Sequence, residues 1–196
     1  MPLRSDGFTG LIAINQIAEE QQHRITSFDS GTDSLNRFLN ESALEFQAAH
    51  LGYTSVLFHE DFAGLVGYIT LANDAIKLQG IEITDLALNL PPEQNLTAFP
   101  AIKIGRLAVH QELKRQGIGR RLLDLALGGV MGGSTLSAAR ILVADAINTE
   151  EVLAFYKGLK FEESKVGNED YSKASRGKRH LPRPTIKMIR DIYKFD

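Results

Sequence analysis

The sequence from Ile102 to Leu127, IKIGRLAVHQELKRQGIGRRLLDLAL, joins a strand pattern to a helix pattern through a basic glycine turn. Its first part alternates apolar and polar residues as far as Val109, which is typical of a strand. Its last part repeats apolar residues at helical spacing, at Leu122, Leu123, Ala126 and Leu127. The pattern therefore predicts a strand, a turn and a helix in succession.

The turn has the composition of an anion-binding site. Gly117 and Gly119 carry no Cβ, so a ligand can approach the backbone closely. The first amides of the helix have no intrahelical acceptor, and the helix start carries a partial positive charge. Arginines at 115, 120 and 121 add to that charge. We expect a phosphate or pyrophosphate here; the alternative is a plain connection between strand and helix.

Two other phosphate-binding loops are excluded by the spacing of the glycines. The chain has no G-x-x-x-x-G-K-[ST] segment, and the turn lacks the third glycine and the downstream acidic residue of a dinucleotide fingerprint. The turn is therefore of a different type.

Length and composition set the class of protein. A chain of 196 residues can bury a sizeable core, and we predict a single domain over residues 1–196. The absence of cysteine excludes disulfides, thiolate metal sites and a cysteine nucleophile. No apolar run approaches the roughly 20 residues that span a bilayer, and no export signal is recognisable at the N-terminus. We expect a cytoplasmic protein without a membrane partner.

Charge is distributed unevenly along the chain, although the net charge is only −2. Residues 1–100 hold 4 Lys and Arg against 13 Asp and Glu, whereas residues 101–196 hold 18 against 11. The C-terminal half, with a net charge of +7, therefore favours an anionic partner. A solvated basic surface is the alternative.

Periodicity places the remaining elements. It predicts strands at 9–17, 54–58, 65–71, 141–146 and 185–192, and helices that begin after 31, at 119 and after 148. Residues 72–100 form an irregular stretch with an alternating piece at 79–84, which we interpret as an insertion or an extra hairpin. Residues 165–184 have the composition of a mobile basic loop, with a solvated hairpin connection as the alternative.

A second informative segment runs from Asp145 to Phe161 and reads DAINTEEVLAFYKGLKF. Asn148 is predicted to cap the following helix, with Glu151 three residues later completing a capping box. The helix carries the aromatic pair Phe155 and Tyr156, which in an ordinary protein would pack in or beside the core.

These segments together resemble the GNAT acetyltransferases. The turn KRQGIG is similar to their [QR]-x-x-G-x-[GA] signature, with Lys114 in place of Gln or Arg. The segment that begins at Asn148 is similar to their N-x-x-[AV]-x-x-[FL]-Y-x-x-x-[GN]-F pattern, with Lys160 at the usual glycine. The resemblance covers residues 28–161.

Three further segments resemble the GNAT toxins of toxin-antitoxin pairs. Residues 28–39, FDSGTDSLNRFL, are similar to the entry segment F-[DN]-[CS]-G-x-x-x-L-[DN]-x-[FWY]-L of these toxins. The segments GYITL at 67–71 and GRLAV at 105–109 are similar to two of their strands.

The resemblance implies the GNAT fold, an α/β (α+β) fold with a mixed central sheet and helices on both faces. It implies that acetyl-CoA binds in the splay between the strands at Arg106 and Ile141. No metal is expected, because His50, His59 and His110 are not at ligand spacing. The residues it assigns to acetyl-CoA are Leu107, Ala108, Val109, Arg115, Gln116, Gly117, Ile118, Gly119, Arg120 and Asn148.

Acetyl transfer from a thioester to an amine requires an oriented neutral amine, a stabilised oxyanion and a proton for the departing thiolate. The resemblance implies that Tyr156 supplies that proton as the catalytic acid. It implies further that the acceptor is the α-amine of aminoacyl-tRNA, and that the partners are a ribbon-helix-helix antitoxin and a second copy in a homodimer. The alternatives are a housekeeping acetyltransferase for a small-molecule or protein amine, and a non-catalytic acyl-CoA-binding module.

Overall fold

The computed structural model describes residues 3–90, 96, 98–132, 138–174 and 183–194. Its strands are β1 (Ile12–Ala13), β2 (Tyr53–His59), β3 (Phe62–Ile76), β4 (Phe99–Val109), β5 (Ile141–Ile147), β6 (Glu162–Glu163) and β7 (Thr185–Asp191). Its α-helices are α1 (Gln22–Thr26), α2 (Asp33–Arg37), α3 (Ala43–Ala48), α4 (Gly80–Asp85), α5 (Ile118–Gly132), α6 (Glu150–Gly158) and α7 (Lys165–Ala174). A π-helical segment, Phe38–Ser42, joins α2 to α3.

The strands form a mixed seven-stranded sheet of order β1-β2-β3-β4-β5-β7-β6. β2 and β3 pair as an antiparallel hairpin, with Val56 opposite Tyr68. β7 pairs antiparallel with both β5 and β6. The α+β fold with a mixed sheet is therefore confirmed.

The chain divides into two compact units, each built from two separate stretches of sequence. The first unit comprises Met1–Ala72 and Ile104–Thr135, and the second comprises Asn73–Lys103 and Leu136–Asp196. The core of the first unit consists of Ile14, Ile25, Phe28, Phe38, Leu39, Ala43, Val56, Phe58, Leu65, Tyr68 and Ala108. The core of the second consists of Ile76, Leu86, Leu88, Phe99, Ala101, Ile141, Val143 and Ile189. The expectation of a single domain stays a prediction.

Two elements differ from the expectation. The first strand is confined to Ile12–Ala13, because residues 14–16 turn into a 3₁₀-helix directly after it. The alternating piece at 79–84 is helical, as α4, and not part of a hairpin. The backbone N–H of Gln79 donates to the Glu82 carboxylate at 2.9 Å, which stabilises the start of that helix. Six residues are too few to distinguish a period of 2 from a period of 3.6.

The expected mobile loop is helical in its first part. α7 covers Lys165–Ala174, and residues 175–182 of the predicted loop lie outside the described residues. The carboxylate of Glu82 accepts hydrogen bonds from the Ser164 hydroxyl at 3.1 Å and from the Lys165 backbone N–H at 2.8 Å. A residue from α4 thus satisfies a donor at the start of α7, which no local sequence window could indicate.

In the described part of the chain, no helix combines the length and the apolar character that crossing a membrane requires.

We expect Gly129→Ala to raise the free energy of unfolding by about 0.5 to 1 kcal/mol, because glycine in a helix interior has excess backbone entropy when unfolded. Gly129 lies inside α5, and a Cβ there would meet open space. Urea unfolding would measure the change. Gly67→Ala is the control with the opposite sign, since its Cβ would lie 2.5 Å from the backbone oxygen of Ala108. A destabilised Gly129→Ala variant would contradict the prediction.

Candidate functional site

The turn between β4 and α5 contains two residues in the left-handed region. Arg115 has a φ of 62° and Gly117 a φ of 77°. The Arg121 backbone N–H donates to the Gly117 carbonyl at 3.1 Å and closes the first turn of α5. The backbone amides of residues 118 to 120 precede Arg121 in the chain, so they lie in the first turn of α5, at the positive end of the helix. This backbone has the form expected of an anion-binding turn.

The side chains around this turn divide into exposed polar residues and one buried apolar residue. Arg115, Gln116 and Arg120 are exposed, whereas Ile118 is only 3% exposed. The Arg121 guanidinium lies over the Phe8 ring, 4.3 Å from its centroid. An open groove of about 700 Å³ runs along the turn, lined by Leu3, Ser5, Phe8, Arg115, Gln116, Gly117, Ile118, Arg120, Arg121, Asp124 and Leu125. The helix start is thus fixed in the core through Ile118, while Arg115 and Arg120 lie at the surface.

The last residues of β4 precede this turn directly. Ala108 is 4% exposed, and Leu107 and Val109 are half-buried. Gly67 on β3 faces Ala108 and leaves room for the backbone of β4 to pass closely. The first unit therefore holds nine of the ten residues assigned to acetyl-CoA, all of them between positions 107 and 120. Their role in binding stays a prediction.

Tyr156 lies on α6 in the second unit, between two aromatic rings. It is 8% exposed, and its ring makes edge contacts with Phe155 and Phe161, each at 5.2 Å between centroids. The hydrogen bond from the Phe161 backbone N–H to the Tyr156 carbonyl, at 3.0 Å, fixes the end of the helix. Tyr156 is therefore held rigidly on a regular element.

The surroundings of Tyr156 keep its hydroxyl protonated. Burial, reinforced by the negative charge of Asp145, raises the pKa of Tyr156 to about 12. A thiol has a reference pKa of about 8.5, so complete proton transfer from this phenol to a thiolate is unfavourable on its own. A phenol with this pKa can donate a hydrogen bond to a developing thiolate, and it can transfer its proton only if it receives one in return.

Asp145, whose charge acts on Tyr156, is a candidate site residue that the sequence pattern did not single out. Its carboxylate lies 2.5 Å from Lys103 Nζ and 2.8 Å from Lys187 Nζ. Burial acts against the charged form, but the two lysines outweigh it and lower the pKa of Asp145. A signal was available, because Asp145 is a charged residue in the otherwise apolar run Ile141 to Ile147.

The predicted cap at Asn148 is wrong. Thr149 occupies the N-cap of α6, and its hydroxyl accepts a hydrogen bond from the Val152 N–H at 3.4 Å. Asn148 instead extends the pairing of β5 with β7: its backbone N–H donates to the Pro184 carbonyl at 3.0 Å and its side chain to the Arg183 carbonyl at 2.9 Å. The helix thus begins one residue later, and Glu151 is not placed to form the predicted capping box. The assignment of Asn148 to acetyl-CoA stays a prediction.

Lys160 stands where the resemblance expects glycine, and it has a φ of 64°. The backbone is therefore left-handed at this position, a conformation that is strained for lysine and would not be for glycine.

No family model matches the sequence. The structure is similar to three solved structures, among others. One is a tyrosine-to-phenylalanine mutant of KacT, with 21% identity over 95% of this chain and 96% of that chain and a TM-score of 0.69. The second is a tyrosine-to-phenylalanine mutant of the toxin AtaT bound to the C-terminus of the antitoxin AtaR and acetyl-CoA, with 19% identity, coverage of 95% and 94%, and a TM-score of 0.63.

The third is AtaT complexed with acetyl-methionyl-tRNAfMet, with 22% identity over 80% of this chain and 88% of that chain and a TM-score of 0.63. At sequence identities of 19 to 22%, the comparison shows that the folds are alike. The chain therefore has the fold of KacT and of the toxin AtaT, as the resemblance to the GNAT acetyltransferase toxins implied.

Proposed function

We propose that this protein is a toxin-like N-acetyltransferase that moves the acetyl group of acetyl-CoA to the α-amine of an aminoacyl-tRNA. The observation that carries the proposal is the turn at 114–119, where two left-handed residues lead into a helix start with exposed arginines. This turn supplies backbone amides and positive charge for a pyrophosphate. A similar structure, that of AtaT, holds acetyl-CoA.

In this proposal, the amides at the start of α5 bind the pyrophosphate of acetyl-CoA. Arg115 and Arg120 add positive charge beside it, and the last residues of β4 contact the pantetheine chain. Because backbone donors need no reorganisation when the ligand arrives, they contribute affinity without a large entropic cost.

Tyr156 acts on the thioester sulfur. A neutral amine attacks the acetyl carbon, and the nitrogen then carries an excess proton while the C–S bond breaks. We assign Tyr156 to donate its proton to the sulfur as it receives, directly or through water, the proton that the nitrogen loses. The products are an amide and a free thiol, and the hydroxyl is regenerated. Tyr156 never ionises, which accords with a pKa of about 12.

The choice of acceptor rests on charge and on amine basicity. The C-terminal half of the chain has a surplus of basic residues, which fits a polyanion. An α-amine has a reference pKa of about 8, against about 10.4 for lysine, so a larger fraction is neutral at pH 7. The complex of AtaT with acetyl-methionyl-tRNAfMet shows that a protein of similar fold can accommodate such a product. By the same analogy, we propose that a small antitoxin neutralises the protein.

We expect acetylation of charged tRNA only, when the protein is given labelled acetyl-CoA and either methionyl-tRNA, uncharged tRNA, free methionine, a polyamine or a lysine peptide. The affinity for tRNA is expected to fall steeply with salt concentration, because each phosphate that a basic side chain neutralises releases counterions. Replacing both Lys178 and Arg179 with alanine is expected to reduce the slope of log affinity against log salt by roughly 0.7 to 0.9 for each phosphate left without its basic partner.

The matched control removes two charges elsewhere. Arg37→Ala combined with Lys77→Ala changes the net charge equally, but in the acidic half of the chain, and should leave the slope unchanged. Transfer only to the small amines or to the peptide would refute the tRNA acceptor and favour a housekeeping acetyltransferase. Binding of acetyl-CoA without transfer to any amine would favour a binding module.

A further inference from the structure

A hydrogen-bond network centred on Asp29 lies beside the anion-binding turn in the first unit. One carboxylate oxygen, Oδ1, accepts from the Gly31 backbone N–H at 2.7 Å and from Asn36 Nδ2 at 2.9 Å. The amide oxygen of Asn36 in turn accepts from the backbone N–H of Ser30 at 2.9 Å and from its hydroxyl at 2.7 Å. The Asn36 side chain on α2 and the loop before that helix are thus joined, with Asp29 as the acceptor that Gly31 and Asn36 share.

The other oxygen of Asp29 reaches across to the segment that leads into the turn. Asp29 Oδ2 accepts from Gln111 Nε2 at 2.7 Å, and the Asp29 backbone carbonyl accepts from the Gln111 backbone N–H at 2.8 Å. Asp29 therefore holds Gln111 at two points. The bond to the Gly31 N–H, followed by the bond to Asn36, lowers the pKa of Asp29, so the carboxylate stays charged at neutral pH.

Gln111 begins the 3₁₀-helix Gln111–Leu113, which is anchored by contacts just before it and within it. Before it, the His110 backbone N–H donates to the Val66 carbonyl at 2.9 Å, and the His110 ring packs against Phe62 at 5.0 Å. Within it, Leu113 is buried. The next residues, at 114 and 115, lead into the left-handed part of the turn. The 3₁₀-helix therefore leads directly into residues 114 and 115, whose backbone precedes the amides at the start of α5.

We infer that Asp29 is a positioning residue for the pyrophosphate turn: through its two-point contact with Gln111 it sets the orientation in which the turn presents its amides to acetyl-CoA. This inference rests on the proposed function. Asp29 contacts the segment before the turn through Gln111, and we assign its effect to the geometry of binding. Small displacements of positioned donors have large effects on ligand affinity and rate.

Two changes at Gln111 test the contact. Gln111→Leu removes the donor without changing the charge, and Gln111→Glu places a second carboxylate against Asp29. We expect each variant to raise the Kd for acetyl-CoA, measured by calorimetry, by on the order of tenfold, because each breaks a charge-assisted hydrogen bond. The KM for acetyl-CoA should rise by a similar factor, while kcat at saturating acetyl-CoA and the KM for the acceptor stay near parental.

The decisive variant is Asp29→Asn combined with Gln111→Glu. The amide introduced at position 29 would keep the acceptor for Gly31 and Asn36 and would donate to the carboxylate introduced at position 111. The affinity should therefore return to within about twofold of the parent. The control is Gln111→Glu combined with Glu112→Gln, which restores the same net charge but not the hydrogen bond, and should not recover the affinity. Glu112 is exposed and adjacent, which makes it a matched site.

The outcomes separate the inference from the function on which it rests. A parent protein that does not bind acetyl-CoA refutes the proposed function. A parent that binds, with Gln111→Leu and Gln111→Glu binding equally well, refutes the role of Asp29. Equal recovery in both double variants would show that net charge, and not the hydrogen bond, governs the affinity. If Gln111→Glu does not fold, the uncharged variant Gln111→Leu still decides the question.

Discussion

Replacing Tyr156 with phenylalanine is expected to lower kcat for acetyl transfer by about a hundredfold or more, since removal of a general acid typically costs roughly 10² to 10⁴ in rate. The change deletes one hydroxyl and almost no volume, so the ring should keep its edge contacts with Phe155 and Phe161. The Kd for acetyl-CoA should therefore stay near parental. Steady-state kinetics with a calorimetric Kd would measure both quantities.

Tyr193→Phe is the matched control, because it removes the same atom from an exposed tyrosine in the same unit. That variant should retain parental kcat. Parental turnover in Tyr156→Phe would identify Tyr156 as a packing residue.

In the parent, ionisation of Tyr156 should not reduce activity until the solution approaches pH 12, because burial raises its pKa to about 12 and the hydroxyl stays protonated below that value.

Replacing Gly117 with valine is expected to abolish most of the stabilisation that acetyl-CoA gives to the folded protein. A ligand that binds only the native state adds RT ln(1 + [L]/Kd), about 2.7 kcal/mol at a concentration of roughly 100 Kd. Gly117 has a φ of 77°, and the left-handed region costs an L-residue roughly 1 to 2 kcal/mol and a β-branched residue more. The turn should therefore change shape and lose its affinity. Thermal unfolding with and without acetyl-CoA would measure the loss.

Two other glycine variants show whether the effect is specific to the turn. Gly117→Asn places a residue that tolerates the left-handed region at the same site, and should retain more of the ligand-induced shift than valine does. Gly129→Ala lies further along α5 and should show the full shift. A full shift in Gly117→Val would mean that acetyl-CoA does not bind through this turn.

Local patterns in the sequence were sufficient to predict the elements whose apolar residues repeat regularly within one segment. The run from Ile102 to Leu127 predicted β4, the turn and α5, and the apolar runs at 54–58 and 65–71 predicted strands that lie within β2 and β3. The basic glycine turn was recognisable because its conformation depends on residues that are adjacent in the chain. Tyr156 was recognisable through the resemblance, and its placement on α6 followed from helical spacing.

Tertiary structure decided the features whose partners are distant in the chain. Glu82 and Ser164 lie 82 residues apart, yet their hydrogen bond stabilises the start of α7 in a segment whose composition favours a loop. Pairing with β7 engages Asn148 and moves the cap of α6 to Thr149. The hydrogen bond between Asp29 and Gln111 and the burial that raises the pKa of Tyr156 likewise arise only on folding. A sequence pattern describes how one segment favours a conformation, whereas hydrogen bonds and desolvation between remote segments exist only once the chain has folded.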